Sequence, residues 1–98
     1  MDYQKFILIG NITDAPQVQK PEGKTAYADF SVAVSRGKDR ETDFFPIRVF
    51  GKTVQIVEKL QKGSRVFIEG RIEIGRFVPE EGDPHKTIRV LADTIGYF

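Results

Sequence analysis

Hydrophobic and polar residues alternate with a period of two along most of the chain, which is the period of β-strands. Five segments show this alternation or a short apolar run: residues 3–13, 25–35, 42–51, 64–78 and 86–92. Residues 52–62 change to helical spacing, with Val54, Val57 and Leu60 on one side. The pattern therefore predicts five strands, with one helix of about three turns between the third and the fourth.

Turn-forming residues separate these segments. The first strand is expected to end at residues 14–16, and residues 20–23 (KPEG) are typical of a β-turn. The charged segment 36–41 predicts a hairpin loop, Gly63 a cap after the helix, and residues 79–85 another loop.

Glycines inside the strands, at Gly10, Gly70 and Gly75, would let long strands bend. Five such strands with a helix after the third match the OB-fold. This fold is a five-stranded Greek-key barrel that commonly binds oligonucleotides or oligosaccharides. The whole chain, residues 1–98, is predicted to be one all-β domain with a single helix.

The third strand carries opposite chemistry on its two faces, because successive side chains point to opposite sides. One face is an apolar row suited to a core: Phe45, Ile47 and Val49. The other face places two aromatic rings around a guanidinium: Phe44, Pro46, Arg48 and Phe50. Aromatic rings beside positive charge suit unpaired bases, which stack on rings and carry phosphates. The alternative is that Phe44 and Phe50 pack beneath a loop or in a subunit interface.

The first strand is apolar on both faces between Phe6 and Ile9. A small barrel has an interior for only one of these faces, so the other needs a partner surface. This pattern predicts a symmetric homo-oligomer.

Composition narrows the possible functions. The formal net charge is only +1, so any binding of a polyanion must come from a local arrangement of lysine and arginine. Cysteine is absent, which excludes disulfides and thiolate metal sites and fits a reducing cytoplasm. Neither a signal sequence nor an apolar run of membrane-spanning length occurs, so no membrane association is expected.

The sequence contains no motif for catalysis, metal binding or phosphate cradling, and no cofactor is expected. The single histidine, His85, lies in the predicted loop, where a solvated side chain is expected rather than a catalytic base. Glu80 and Glu81 are neighbours in the same loop and are expected at an exposed tip. The chain is therefore predicted not to be an enzyme.

Several segments, in this order and spacing, resemble the bacterial single-stranded DNA-binding proteins. They are residues 7–13 (ILIGNIT), 28–34 (ADFSVAV), 42–44 (TDF), 49–52 (VFGK), 60–64 (LQKGS) and 66–71 (VFIEGR). The resemblance implies that single-stranded DNA wraps over a homotetramer, with a dimer as the second possibility. Proteins of this family act in DNA replication, recombination and repair, which implies a bacterial cytoplasm and the nucleoid as the location.

The resemblance also implies which residues contact DNA. The base-stacking positions correspond to Phe44, Phe50 and Phe77, although ordinary loop packing would also suit Phe77. Basic positions near the DNA correspond to Lys52, Lys62 and Arg76, and Arg48 shares the face of Phe44 and Phe50. For each lysine or arginine, a solvated surface role is the alternative to a phosphate contact.

Two features depart from the family's pattern. Residues 36–41 form a shorter loop than usual and include no aromatic, so one stacking position has no counterpart and a lower affinity or site size is expected. The sequence also ends at Tyr97 and Phe98, without the flexible linker and acidic tip that recruit partner proteins. Such partners are therefore not expected, whether the chain is shortened or naturally short.

Two other functions stay open. The short, tailless chain also resembles the dimeric OB module of primosome assembly, which assembles replication proteins, and a sugar-binding OB domain is a further possibility. The match of the third and fourth strands favours the tetrameric single-stranded DNA-binding proteins.

Overall fold

The computed structural model describes residues 1–98 and contains six strands and one helix. They are β1 (Phe6–Ile12), β2 (Gln17–Gln19), β3 (Tyr27–Ser35), β4 (Thr42–Phe50), α1 (Thr53–Val57), β5 (Arg65–Phe77) and β6 (His85–Tyr97). All five predicted strands are present. The sequence did not predict β2, because three residues are too few to establish an alternating pattern.

The strands form one sheet in the order β1-β5-β6-β4-β3-β2, and an additional pairing between β1 and β3 closes the five longer strands into a ring. All pairings are antiparallel except that of β4 with β6. The short β2 extends the sheet beyond β3. This topology, with a helix after the third long strand, confirms the predicted OB-fold.

The core lies inside the ring and consists entirely of apolar side chains. The alternation in β3 and β4 is confirmed, since Ala28, Val32, Ile47 and Val49 are fully buried. Phe45 is half-buried and packs against this core, with its ring 5.6 Å from that of Phe6. The outward residues of β3 and β4 are therefore free to form a surface.

The helix is shorter than predicted, with five residues instead of about three turns. The prediction of which residues in segment 52–62 face the core is confirmed, because Val54, Val57 and Leu60 are all buried. Beyond Val57 the chain continues in tight turns, because Gly63 and Ser64 are hydrogen-bonded to the end of β1. Gly63 N–H donates to Ile12 O at 2.7 Å, and Ile12 N–H donates to Ser64 O at 2.8 Å. No helix in the structure has the length and apolarity that crossing a membrane requires.

The β5–β6 hairpin is longer than predicted because β6 extends from His85 to Tyr97, and one prediction about it was wrong. His85 lies in β6, paired with Phe77, and not in the loop. Ile74 continues the alternation of Val66 and Ile68, which are buried, but 65% of its surface is exposed. The reason is that β4 pairs with β6 only at Ile47–Val90 and Arg48–Leu91. Residues 74–88, here called the distal hairpin, therefore project beyond the ring.

Candidate nucleic-acid interface

The outward residues of β3 and β4 form a continuous surface, here called the β3–β4 face. Its cross-strand pairs are Ala33–Phe44, Ser31–Pro46, Asp29–Arg48 and Tyr27–Phe50. The exposed fraction is 63% for Phe44 and 47% for Phe50, although a solvent-facing strand normally carries polar side chains. The structure thus brings together three predicted site residues, Phe44, Arg48 and Phe50, on one side of the sheet.

An aromatic pair occupies the Phe50 end of this face. The Tyr27 ring lies 6.2 Å from the Phe50 ring with a tilt of 50°, within the range of favourable aromatic contacts. Tyr27 was not among the site residues predicted from the sequence. The hairpin register across loop 36–41 was the signal that could have placed it opposite Phe50.

Arg48 lies in the middle of the face and is held by two contacts. Its Nε and Nη2 donate to the two carboxylate oxygens of Asp29, at 2.7 and 2.8 Å. Its guanidinium also lies over the Tyr27 ring, 4.4 Å from the centroid. The hydrogen bonds that Arg48 donates to Asp29 are the main cause of a raised pKa for Arg48. The positive charge of this predicted phosphate contact is therefore already matched by a carboxylate.

Lys52 and Lys62 flank the two ends of the face. Lys52 follows Phe50 after a turn in which Gly51 has a φ of 65°, a value that favours glycine. At the other end, Phe44 pairs with Ala33, and Ala33 in turn pairs with Asn11 of β1. Asn11 Nδ2 donates to Gly63 O at 3.2 Å, which places Lys62 near the Phe44 end. Both lysines are exposed, and neither forms a salt bridge.

Loop 36–41 lies next to the Phe44 end, but its first basic residue, Arg36, already binds a carboxylate. Arg36 Nε and Nη2 donate to the Asp43 carboxylate at 3.0 and 2.8 Å. These hydrogen bonds lower the pKa of Asp43. Arg36 therefore differs from Lys52 and Lys62, whose charges have no acidic partner.

Phe77 lies on the distal hairpin, away from the other two predicted stacking residues. It is 51% exposed, and its ring lies 5.2 Å from the His85 ring. A shallow cleft of about 360 Å³ separates the β3–β4 face from the hairpin. It is lined by Pro46, Glu73, Gly75, Thr87, Ile88 and Arg89. Arg76 adjoins Phe77 in the strand, so the two side chains leave opposite sides of the hairpin.

Comparison with a family model and with individual proteins points to the same family. The sequence model described as the single-strand binding protein family matches residues 3–98. A single-stranded DNA-binding protein 1 of Staphylococcus aureus is 33% identical over 100 residues, which cover 96% of this chain and 64% of the relative. A single-stranded DNA-binding protein of Xylella fastidiosa is 31% identical, covering 91% of this chain and 59% of the relative. The chain thus spans less than two thirds of the length of these relatives.

A solved structure supports the fold. It is described as a Plasmodium falciparum SSB complex with ssDNA, and it matches with a TM-score of 0.86 and 21% sequence identity. The match covers 100% of this chain and 97% of that one. The same arrangement of strands therefore extends over the whole domain.

Proposed function

The chain belongs to the single-strand binding protein family, and we propose that it binds single-stranded DNA without sequence preference. The observation that carries this proposal is the pair of exposed rings, Phe44 and Phe50, on one outward face of β4. Every base has a π-face, so stacking on aromatic rings tolerates any sequence. The family is named for binding and not for a reaction, in agreement with the prediction that the chain is not an enzyme.

In this proposal, bases stack on Phe44, Phe50 and Phe77, and phosphates are neutralised by Lys52, Lys62 and Arg76. The two lysines are suited to this role because they are exposed, unpaired and placed at the ends of the β3–β4 face. Arg76 is also exposed and forms no salt bridge. Arg48 is the fourth predicted phosphate contact and differs from these three, because Asp29 matches its charge.

The proposed cellular role is to protect single-stranded DNA during replication, recombination and repair. This role would place the protein with the nucleoid in the cytoplasm. The second candidate, an OB module that assembles replication proteins, differs in that its main partner is a protein and not DNA.

The direct test is titration of the protein with labelled oligo(dT) and with a duplex of equal length. We expect clear preference for oligo(dT), because the bases of a duplex are already stacked on one another and cannot reach the rings. Equally weak binding of both at low salt, together with tight binding of a protein partner, would favour the second candidate.

Salt should weaken binding of oligo(dT) without abolishing it. Neutralising Z phosphates on a single strand gives a slope of about −0.7Z for the logarithm of affinity against the logarithm of salt concentration. The three proposed phosphate contacts per protomer therefore predict a slope of about −2 per protomer, and stacking supplies the part that persists at high salt. The measurement is a titration series at increasing NaCl. An affinity that does not change with salt would exclude Lys52, Lys62 and Arg76 as phosphate contacts.

We also propose that the protein is a homotetramer, with a homodimer as the second possibility. The support is the outer face of β1, where Ile7 is 54% exposed and Ile9 is 42% exposed in a single protomer. Together with Phe67, which is paired with Ile9, they form an apolar surface that a second copy could cover.

Substituting both residues, as Ile7→Asp with Ile9→Asp, should reduce the oligomer to a smaller species, because four or eight buried charges would then lie in the interface. Sedimentation equilibrium at micromolar concentration measures this change. Ile56→Asp is the matched control, since Ile56 is a partly exposed isoleucine on α1 and not on β1. A parent protein that sediments as a monomer would refute both the tetramer and the dimer.

A further inference from the structure

The cations near the candidate interface form two groups that differ in their acidic partners. Arg48 and Arg89 lie on outward positions of neighbouring strands, and each binds a carboxylate, from Asp29 and Glu73 respectively. Lys52 and Lys62 lie at the ends of the β3–β4 face and have no acidic partner. The centre of the surface is therefore close to neutral, while its ends are positive.

The contacts of Arg48 fix its guanidinium in one orientation. Two parallel hydrogen bonds join it to the Asp29 carboxylate, a geometry that is stronger and more directional than a single ion pair. Its planar group also lies over the Tyr27 ring, whose other aromatic neighbour is Phe50. Asp29, Arg48, Tyr27 and Phe50 thus form a connected series in which each member contacts the next.

A phosphate could recruit Arg48 only by replacing the Asp29 carboxylate. Such an exchange trades one charge-assisted pair for another and leaves the carboxylate of Asp29 unpaired beside a polyanion. As a pair, Asp29 and Arg48 carry no net charge, so binding of DNA over them would release no condensed counterion.

We propose that Arg48 is a positioning residue and not a phosphate contact. The Asp29–Arg48 pair holds Tyr27 against Phe50 and keeps the centre of the β3–β4 face neutral, so that this part binds bases while the phosphates lie toward Lys52 and Lys62. Asp29 is then the residue that withholds Arg48 from the DNA backbone. This inference rests on the proposed binding of single-stranded DNA.

The test compares salt slopes for oligo(dT) among four variants and the parent. Arg48→Gln should weaken affinity by at least about fivefold, the lower end of a stacking contribution, because it also leaves the Asp29 carboxylate unpaired beside the DNA. Lys52→Gln is the control for a phosphate contact, and its slope should be shallower by about 0.7. Asp29→Asn should release Arg48, making the slope steeper by about 0.7 and binding at about 50 mM salt about five- to tenfold tighter.

The double variant Asp29→Asn with Arg48→Gln separates this explanation from simple removal of a repulsive carboxylate. Its slope should return to that of the parent, because no freed arginine is left. A gain that persists in the double variant would overturn the inference, and so would a double-variant slope that is shallower than that of the parent by about 0.7.

Circular dichroism melting of each variant verifies its fold. If the double variant does not fold, the slope of Asp29→Asn decides, and an unchanged slope overturns the inference. A parent that does not bind oligo(dT) refutes the proposed function and the inference with it. Binding by the parent together with a shallower slope for the double variant refutes the inference alone.

Discussion

Alanine substitutions at the neighbours Phe44 and Phe45 should have opposite effects on stability and on binding. Phe45→Ala removes a ring that packs against Phe6 and the core, so the free energy of unfolding should fall by about 3 kcal/mol. This is the lower end of the range for phenylalanine, because Phe45 is only half-buried. Phe44→Ala removes an exposed ring and should leave the free energy of unfolding nearly unchanged.

For DNA binding, the larger effect should come from Phe44→Ala and not from Phe45→Ala. Phe44→Ala should weaken oligo(dT) binding by about 1–3 kcal/mol for each base that the ring stacks. Phe50→Ala and Phe77→Ala should behave in the same way. Urea unfolding and oligo(dT) titration measure the two quantities, with sedimentation of each variant to detect any change of assembly. The proposal fails if Phe44→Ala destabilises as much as Phe45→Ala, or if it binds as tightly as the parent.

This contrast could be predicted from the sequence because adjacent strand residues must point to opposite sides. The same rule correctly placed Ile47 and Val49 in the core and Phe50 outside it. It also indicated that the outer side of β1, with Ile7 and Ile9, would be left uncovered in one protomer. Local periodicity is informative in these strands because each has one face inside the ring.

Local periodicity failed where contacts distant in sequence determine the structure. The helix stops after Val57 because Gly63 and Ser64 must pair with Ile12, and helical spacing contains no information about that pairing. Ile74 continues the alternation of β5 and pairs with Ile88 of β6, but it lies beyond the ring, where its side chain is exposed. An apolar residue in an alternating strand is therefore buried only where the ring of strands encloses it.

The contacts within the candidate interface also required the structure. Alternation placed Tyr27, Asp29 and Arg48 off the core, but it did not say that Arg48 would meet Asp29 and Tyr27. Those contacts follow from the β3–β4 register, in which Asp29 lies directly opposite Arg48. Residue type alone predicts that Arg48 contacts a phosphate. Its salt bridge with Asp29 indicates a different role.

Gly70 is expected to be essential for closing the ring and for directing the distal hairpin. A Cβ at this position would lie 2.0 Å from Leu91 O, a backbone atom that cannot move without disturbing the β5–β6 pairing. The register between these strands also shifts at Glu69 and Gly70. Leu91 is in turn the β6 partner of Arg48, so a displacement here would reach the β3–β4 face.

Gly70→Ala should therefore lower the free energy of unfolding by about 3 kcal/mol or more, at or above the usual cost of overpacking. Gly96→Ala is the matched control in the same strand pair, because its Cβ would meet Phe67 Cβ at an ordinary 3.9 Å. It should change stability by less than about 1 kcal/mol and could even increase it by restricting the unfolded chain. Urea unfolding of both variants measures the difference. Equal stabilities for the two would show that β5 and β6 can separate at Gly70 without cost, and that the close approach of their backbones does not hold the ring together.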